Sequence, residues 1–236
     1  MPLNEATGNM YPRELVSHTF NAIRGECYYR KECGYCYVPH TRAARFYEGA
    51  PRLIDKELKT NLYKFGKGIK IFVESMGDMW HDKIPAGWIY GVLCHCNEYP
   101  DNEYLFQSKN PKRFLEFAKE FPPHTMLATT IEGTTDLDTD HIHFYRAFHL
   151  ARIKKKIGCK TLVSVEPIKK FNLICLASKI IYVAKPDIVT IGADSKNHGL
   201  PEPTVNEIQE LIDWLKKEGY RVILKENLRR IMKGGG

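Results

Sequence analysis

The chain of 236 residues contains 43% hydrophobic and 27% charged residues, a balance typical of a folded domain that excludes an intrinsically disordered chain. Its 35 Lys and Arg against 28 Asp and Glu give a net charge of +7, which suits an anionic partner. No secretory signal begins the sequence and no run of 18 uncharged apolar residues occurs in it, so we expect a cytoplasmic protein with no membrane partner.

Short apolar runs alternate along the chain with segments of helical periodicity. The predicted strands are residues 14–20, 69–75, 103–108, 126–132, 161–167, 187–193 and 220–226. The predicted helices include residues 85–99, 110–121 with Asn110 as N-cap before Pro111, and 204–219 with a Thr204 and Glu207 capping box.

This alternation predicts an α/β fold with parallel strands, in the form of a partial or complete (β/α) TIM-type barrel. We predict a single domain over residues 1–236, a loop at residues 25–40 that carries the chemistry, and a flexible tail at residues 234–236.

Polar or ionisable residues lie at the carboxyl end of almost every predicted strand, within its last residues or directly after it. They are Glu74, Ser75 and Asp78; Gln107, Ser108 and Lys109; Thr130 and Glu132; Ser164 and Glu166; Asp194 and Ser195; and Lys225 and Glu226. Loops are polar in general, but the carboxyl ends of parallel strands share one edge, where active sites are built. The pattern therefore predicts a site at that edge.

Cys27, Cys33 and Cys36 lie in a loop after the first predicted strand, at the spacing C-x5-C-x2-C. In a reducing compartment clustered thiols indicate a metal site or redox chemistry rather than disulfides. A loop that contains Gly25 and Gly34 can fold three thiolates around one point. Zinc and an iron-sulfur cluster are the main candidates.

The sequence leaves both metals open. A structural zinc ion needs a fourth ligand, for which His40 or the group Cys94, His95 and Cys96 are the candidates. Cys94 and Cys96 point to different faces of a predicted helix, which favours core packing for that pair. The zinc interpretation predicts a zinc-stabilised nucleic-acid-binding protein without radical chemistry. Three cysteines on a 4Fe-4S cluster would instead leave one iron open to a cofactor or substrate.

The cysteine loop, with Tyr35 directly before Cys36 in a βα-repeating chain, resembles the radical S-adenosylmethionine (radical SAM) superfamily. Its gap of five residues between Cys27 and Cys33 is longer than the three usual there. A narrower resemblance, to the three-Cys-motif proteins of phages, bacteria and archaea, extends over six ordered blocks. They are residues 20–45, 71–85, 104–114, 127–133, 162–168 and 187–195.

The resemblance implies an enzyme with a 4Fe-4S cluster bound by Cys27, Cys33 and Cys36, which cleaves S-adenosyl-L-methionine to a 5'-deoxyadenosyl radical that abstracts hydrogen from a substrate. It implies a one-electron reductant of flavodoxin or ferredoxin type as partner. The implied cofactor-binding residues are Tyr35, Ser75, Met76, Gly77, Asp78, Lys109, Thr130, Ser164, Glu166 and Asp194. Glu132, Glu166 and Lys225 are the candidates for catalysis.

The loop around the cysteines mixes basic and aromatic residues, a combination that suits phosphates and stacked bases. These are Arg24, Arg30, Lys31, Arg42 and Arg45 with Tyr28, Tyr29 and Tyr37. We therefore expect a DNA or RNA base as the substrate, which the enzyme modifies or repairs.

Overall fold

The computed structural model describes residues 3–7, 10–133 and 137–233, with only the backbone at 137–139. The chain forms two compact units, Met1–Met126 and Leu127–Gly236, and the division falls inside a strand. The predicted tail at residues 234–236 lies outside the described residues, and the single domain stays a prediction.

The first unit combines short parallel strands with one α-helix. Its strands are β1 (Leu3–Glu5), β2 (His18–Phe20), β3 (Ile23–Arg24), β4 (Arg52–Leu53), β5 (Lys70–Val73) and β6 (Glu103–Ser108). The order is β1-β2-β5-β6, in which β2, β5 and β6 are parallel and β1 is antiparallel to β2, while β3 and β4 form a separate antiparallel pair. The helix α1 (Ala86–Asn97) joins β5 to β6.

The second unit contains the longer helices. Its strands are β7 (Thr125–Thr130), which begins in the first unit, β8 (Lys160–Val165), β9 (Ile188–Ile191) and β10 (Arg221–Leu224). Its α-helices are α2 (Leu137–Ile157), α3 (Leu173–Ser178), α4 (Val205–Lys217) and α5 (Arg229–Met232), and a π-helix (Lys179–Ala184) continues α3. The strand order is β7-β8-β9-β10, and β8, β9 and β10 are parallel.

Apolar side chains explain where these elements pack. In the first unit Trp80 is buried and its ring meets Phe106 and Phe114 edge-on, with centroids 5.9 and 4.8 Å away. In the second unit α4 buries one face through Ile208, Leu211, Ile212 and Leu215. That spacing of three and four residues is the apolar stripe of a surface helix.

Each predicted strand is present, most of them trimmed by one to three residues at an end, and residues 103–108 match β6 without change. The capping box at α4 is also present, because Glu207 donates its N–H to Thr204 Oγ1 while its carboxylate accepts from the Thr204 N–H. The α/β fold with mainly parallel strands is therefore confirmed. Among the described residues, no helix has the length and apolar character needed to cross a membrane.

Two local predictions were wrong. Residues 110–121 contain a 3₁₀ helix, Pro111–Phe117, and the Asn110 side chain caps nothing because it donates to Trp80 O at 3.1 Å and to Asp82 at 2.8 Å. Only His18–Phe20 of the predicted first strand is extended, since the N–H groups of Leu15 and Val16 both turn back to Pro12 O.

Candidate metal and cofactor site

Backbone turns fold the loop that carries the three cysteines. The N–H of Arg30 donates to Cys27 O at 2.9 Å, that of Cys33 to Tyr29 O at 2.8 Å, and that of Cys36 to Cys33 O at 3.0 Å. Successive turns bring residues six and three positions apart onto one short stretch of backbone. The loop can therefore present its thiols together, which an extended strand cannot do.

The turn after β5, residues Ser75 to Asp78, is fixed to the same region. Tyr37, next to Cys36, donates its hydroxyl to Ser75 O, and Asn21 accepts from the N–H of Met76 at 3.0 Å. Asn21 directly follows β2, so the rule that polar residues follow strands would have found it. The turn that the resemblance assigns to the cofactor is thus held against the cysteine loop.

Glu74 enters this turn in a strained conformation. Its φ of 58° lies in the left-handed region that non-glycine residues rarely adopt. Its buried carboxylate accepts from the N–H groups of Ala22 and Ile23, at 2.5 and 3.0 Å. Burial raises the pKa of Glu74 to about 8, although those two N–H donors lower it. The carboxylate therefore ties the end of β5 to the chain that leads into the cysteine loop.

Asp78 acts through its side chain as a support for neighbouring segments. Its carboxylate accepts from the N–H groups of Trp80 at 3.0 Å and Lys109 at 2.8 Å and from Ser108 Oγ at 2.9 Å. The ammonium of Lys109 donates to the Tyr35 hydroxyl and lies 4.9 Å from the centre of that ring. Tyr35, Asp78 and Lys109, all predicted for the cofactor, are therefore brought together beside Cys36.

The extra residues between Cys27 and Cys33 have a packing role. The rings of Tyr28 and Tyr29 lie 4.8 and 4.6 Å from the ring of His81, and the Lys83 ammonium lies 5.5 Å from the Tyr28 ring. Both tyrosines thus wrap around one histidine of the segment after β5. The longer gap anchors the loop to that segment.

Much of the basic and aromatic set around the loop is engaged within the protein. Arg24 pairs with Glu57 at 2.6 Å and Arg30 with Glu26 at 3.5 Å. The Arg45 guanidinium lies 4.9 Å from the centre of the Phe46 ring. These contacts leave the expectation of a nucleic-acid substrate at this loop as a prediction.

The three cysteines suit a thiolate-bound centre by their chemistry. All are free and partly exposed. Burial and then the charge of Asp78 raise the pKa of Cys27 to about 12, and burial raises that of Cys36. Cys33 lies near enough to both to raise their pKa values further. In the described part of the chain, however, no three His, Cys, Asp or Glu side chains converge at metal-binding distances.

A small cavity lies between the cysteine loop and the turn after β5. Its lining includes Gly25, Cys27, Gly77 and Asp78, and its volume of about 20 Å³ is that of a single water site. It is far too small for a nucleoside cofactor. The cavity shows that Cys27 and Gly77, predicted for metal and cofactor, face a common space.

Gly25 fixes the start of the loop. It has a φ of 107°, and a Cβ atom there would lie 2.4 Å from Ala50 O. We expect Gly25→Ala to lower the free energy of unfolding by about 2 kcal/mol or more, from the left-handed strain and the clash with backbone. Urea denaturation checks this value. Gly34→Ala in the same loop is the control, because a Cβ there meets nothing within 4 Å; equal stability of the two variants would contradict the account.

The other group considered for zinc, Cys94, His95 and Cys96, lies in α1, which places the two cysteines on different faces. Cys96 is buried in α1 and Cys94 is exposed, as expected for a pair on different faces. His95 is buried, with Nδ1 3.3 Å from Glu98, and burial lowers its pKa. Cys96 therefore packs in the core as predicted.

In the second unit Glu166 and Lys225 meet each other. The Lys225 ammonium pairs with Glu166 Oε2, and Asn227 donates to Glu166 Oε1 at 2.8 Å. A Cβ on Gly192 would lie 2.7 Å from Glu166 Oε1, so glycine is what allows the carboxylate to approach the end of β9. Asn227, two residues beyond Lys225, was missed by the sequence analysis.

Glu132 lies in a second charged group. Lys169 Nζ is 2.8 Å and Arg146 Nη1 is 3.7 Å from its carboxylate, and Arg146 also donates to Thr130 O at 3.2 Å. Burial lowers the pKa of the nearby His143 to about 4, with Glu132 opposing the shift. Lys169, Arg146 and His143 come from distant segments, and no sequence spacing indicates them.

The buried His143 predicts acid sensitivity. Because its pKa is about 4 in the folded chain and 6.5 ordinarily, the unfolded chain binds more protons between these values. The stabilisation is complete above pH 6.5 and is lost as the pH falls to 4, by up to about 3 kcal/mol. We expect His143→Leu to flatten the dependence of unfolding free energy on pH over this window. His124→Leu, at an exposed histidine, is the control and is expected to keep the wild-type slope.

The remaining predicted residues occupy separate positions of the second unit. Asp194 accepts from the ring of His198 at 2.8 Å; burial alone would raise its pKa, but hydrogen bonds from the His198 backbone and ring and from Lys196 lower it. Ser164 is buried within β8, where its carbonyl accepts from the Ile131 N–H, and Thr130 is buried at the end of β7. A common pocket for Glu132, Ser164 and Glu166 stays a prediction.

A family model described as "Protein of unknown function (DUF5131)" matches residues 13–195. The chain belongs to the DUF5131 family. The matched residues include the cysteine loop, the turn after β5 and the candidates as far as Asp194. The comparison with curated proteins gave no match. The narrower resemblance of this DUF5131 protein to the three-Cys-motif group stays a prediction.

Solved structures of spore photoproduct lyase share the fold of this DUF5131 protein. One mutant aligns with a TM-score of 0.59 at 11% identity, covering 94% of this chain and 79% of the lyase. A mutant with bound AdoMet and dinucleoside spore photoproduct aligns with a TM-score of 0.55 at 11% identity, covering 89% and 76%. At this identity the likeness shows the fold alone, and AdoMet and the dinucleoside spore photoproduct are molecules bound by the lyase.

Proposed function

We propose that this chain is a radical SAM enzyme in which Cys27, Cys33 and Cys36 bind a 4Fe-4S cluster and S-adenosyl-L-methionine binds at the remaining iron. The observation that carries the proposal is the cysteine loop itself, whose successive backbone turns carry three free cysteines on one short segment that Tyr37 ties to the turn after β5. Three thiolates suit iron-sulfur chemistry and leave a coordination position for a cofactor.

The fold supports the same class of enzyme independently of the cysteines. The shared fold belongs to a lyase whose structures include one with AdoMet bound, which is the cofactor that the cysteine loop indicates. Two lines of argument, from a motif and from a fold, thus lead to one cofactor.

When bound, the cluster and S-adenosyl-L-methionine would supply a one-electron reduction and a carbon radical that abstracts hydrogen, and a flavodoxin or ferredoxin would deliver the electron. The protein binds and orients these groups. Asn21 and Tyr37 hold the turn of Ser75, Met76, Gly77 and Asp78 in place for the methionine end of the cofactor. Lys109 places a positive charge beside Cys36 and Tyr35, where a thiolate or the cofactor carboxylate would gain from it.

In the second unit, Glu132 is the residue that we propose as an acid or base toward the substrate. It is buried, and the cations Lys169 and Arg146 flank it. Perturbed, buried charge clusters are typical of functional sites. For Glu166, the ion pair with Lys225 favours a structural role over a catalytic one. We propose a DNA or RNA base as the substrate, because the protein is basic and shares its fold with a lyase solved with a dinucleoside photoproduct.

Anaerobic reconstitution with iron and sulfide tests the cofactor assignment. We expect about four iron and four sulfide per chain, and an electron paramagnetic resonance signal of the reduced cluster that changes when S-adenosyl-L-methionine is added. One zinc per chain without iron would instead support the zinc-stabilised protein. An electron paramagnetic resonance signal that does not change when S-adenosyl-L-methionine is added would contradict cofactor binding at the iron.

A further inference from the structure

A lysine-lined groove lies in the second unit between the C-terminal end of α2, the start of β8 and the end of the π-helix. Its volume is about 730 Å³, and the charged side chains that line it are Lys154, Lys155, Lys160, Lys185 and Asp187. Its exposed aromatic residue is Tyr182, of which 60% is accessible. We call this feature the lysine groove.

The lysine groove carries an excess of positive charge. Asp187 is occupied, since it pairs with Lys154 at 3.0 Å and accepts from the Thr161 N–H at 2.7 Å. Within the residues that the structure describes, no carboxylate forms an ion pair with Lys155, Lys160 or Lys185. A hollow lined by several cations and one neutralised anion attracts a polyanion.

An exposed aromatic stripe on α2 continues from the lysine groove. Phe144, Tyr145 and Phe148 are 50%, 46% and 43% accessible. The rings of Phe144 and Phe148 are nearly parallel, with centroids 6.5 Å apart, and the Arg152 guanidinium lies 5.7 Å from the centre of the Phe148 ring. Their spacing of three and four residues puts them on one face of the helix, which runs on to Lys155 in the groove. A soluble chain rarely exposes so many large rings together without a partner.

The charge of this helix indicates what the partner is. After Asp138 and Asp140 in its first turn, the helix contains no Asp or Glu as far as residue 157, and its cations other than the buried Arg146 are Arg152, Lys154, Lys155 and Lys156. A protein that covered the aromatic stripe would need an apolar surface of its own. Cations beside exposed rings instead match a nucleic acid, in which phosphates alternate with bases. A duplex keeps its bases stacked inside, so exposed rings favour a single strand.

We propose that the lysine groove and the aromatic stripe bind single-stranded nucleic acid, with the lysines contacting phosphates and Phe144, Phe148 and Tyr182 stacking on bases. This surface needs neither cluster nor S-adenosyl-L-methionine. Lys160 begins β8 and Glu166 follows its other end, so about 20 Å of strand separates the groove from the Glu166 edge. The lysine groove therefore lies at the opposite end of β8 from Glu166.

Fluorescence anisotropy of a labelled 20-nucleotide oligodeoxythymidine tests the contacts between the lysines and the phosphates. We expect the double variant Lys155→Glu, Lys185→Glu to weaken binding at least about tenfold and to reduce the salt dependence of binding by about two units of slope. The matched control is Lys216→Glu, Lys217→Glu, which makes the same charge change at the C-terminal end of α4 and is expected to alter affinity less than about threefold. Equal loss in both variants would overturn the groove as a site.

The stacking contacts have their own test. Phe144→Ala with Phe148→Ala is expected to weaken binding at least about tenfold with the salt slope unchanged, since stacking contributes roughly 1–3 kcal/mol per base. Tyr90→Ala, at a ring on α1 that is 53% accessible, is the control. If the stripe variant bound the oligonucleotide with wild-type affinity, the proposal would be overturned and the groove would only attract polyanions. Tighter binding of a duplex than of a single strand would also overturn it.

Light scattering of the wild type and the stripe variant tests a third possibility, that the stripe is a surface for self-association. If the wild type is a dimer that the stripe substitutions convert to a monomer, the stripe is a self-association surface and the proposal fails. All variants alter exposed side chains, and circular dichroism verifies their folding.

Measuring anisotropy with and without the reconstituted cluster distinguishes failure of this proposal from failure of the radical-enzyme proposal, because the affinity for the oligonucleotide is expected to be the same in both states.

Discussion

Replacing Cys33 with alanine is expected to abolish cluster binding and to lower cleavage of S-adenosyl-L-methionine at least about a hundredfold. Loss of mere outer-shell partners of metal ligands already costs about 10- to 100-fold in affinity or activity, and a lost ligand costs more. Cys33 is the critical choice because it lies between Cys27 and Cys36 in the loop, with its backbone turned back to Tyr29 and that of Cys36 turned back to it. Iron and sulfide analysis after anaerobic reconstitution measures the effect.

Cys159 and Cys175 provide the matched controls. Both are free and partly exposed, and both lie in the second unit. Their alanine variants should retain the iron content and activity of the wild type. If Cys33→Ala bound as much iron as these controls, Cys33 would not be a ligand and the three-cysteine site would be wrong.

Replacing Glu166 with alanine is expected to lower the free energy of unfolding by about 3–5 kcal/mol. The Lys225 side chain is only 5% accessible and that of Glu166 19%, so removal of the carboxylate leaves a buried ammonium without its counter-charge. Asn227 would lose an acceptor as well. Urea denaturation monitored by circular dichroism gives the value.

A double variant distinguishes a buried ion pair from two independent residues. Glu166→Leu with Lys225→Met removes both charges at similar volume and should recover most of the lost stability, as buried pairs replaced by apolar residues commonly do. Additive losses in the double variant would contradict the pairing. If Glu166→Gln left stability unchanged but weakened S-adenosyl-L-methionine binding, the carboxylate would serve the cofactor instead.

Local patterns predicted the elements whose own residues determine them. The strand at residues 103–108 and the capped helix α4 were found because alternation, capping and the terminal Gly219 agree. The segment at residues 110–121 failed because distant partners decide its form. Asn110 bonds Trp80 and Asp82, and Arg113 donates to the carbonyls of His81 and Ile84. The strand β1 was missed because three residues are too few for a pattern.

For the candidate site, the sequence indicated the residues but not their pairings. The cysteine loop and the turn at Ser75 to Asp78 were predicted, and the structure joins them through Tyr37, while Asn21 holds the same turn from the end of β2. The bond between Glu166 and Lys225, 59 residues apart, follows from the register of β8, β9 and β10 and from no spacing in the chain. Long-range partners of this kind decide which polar strand ends are supports and which face a ligand.

Formation of 5'-deoxyadenosine tests the proposed activity most directly. The anaerobically reconstituted chain is reduced with dithionite, mixed with S-adenosyl-L-methionine, and analysed by liquid chromatography and mass spectrometry beside Cys33→Ala. We expect 5'-deoxyadenosine and methionine to accumulate with the wild type alone. A reduced, cluster-loaded wild type that releases no more 5'-deoxyadenosine than Cys33→Ala, with or without an oligonucleotide, would contradict the radical enzyme.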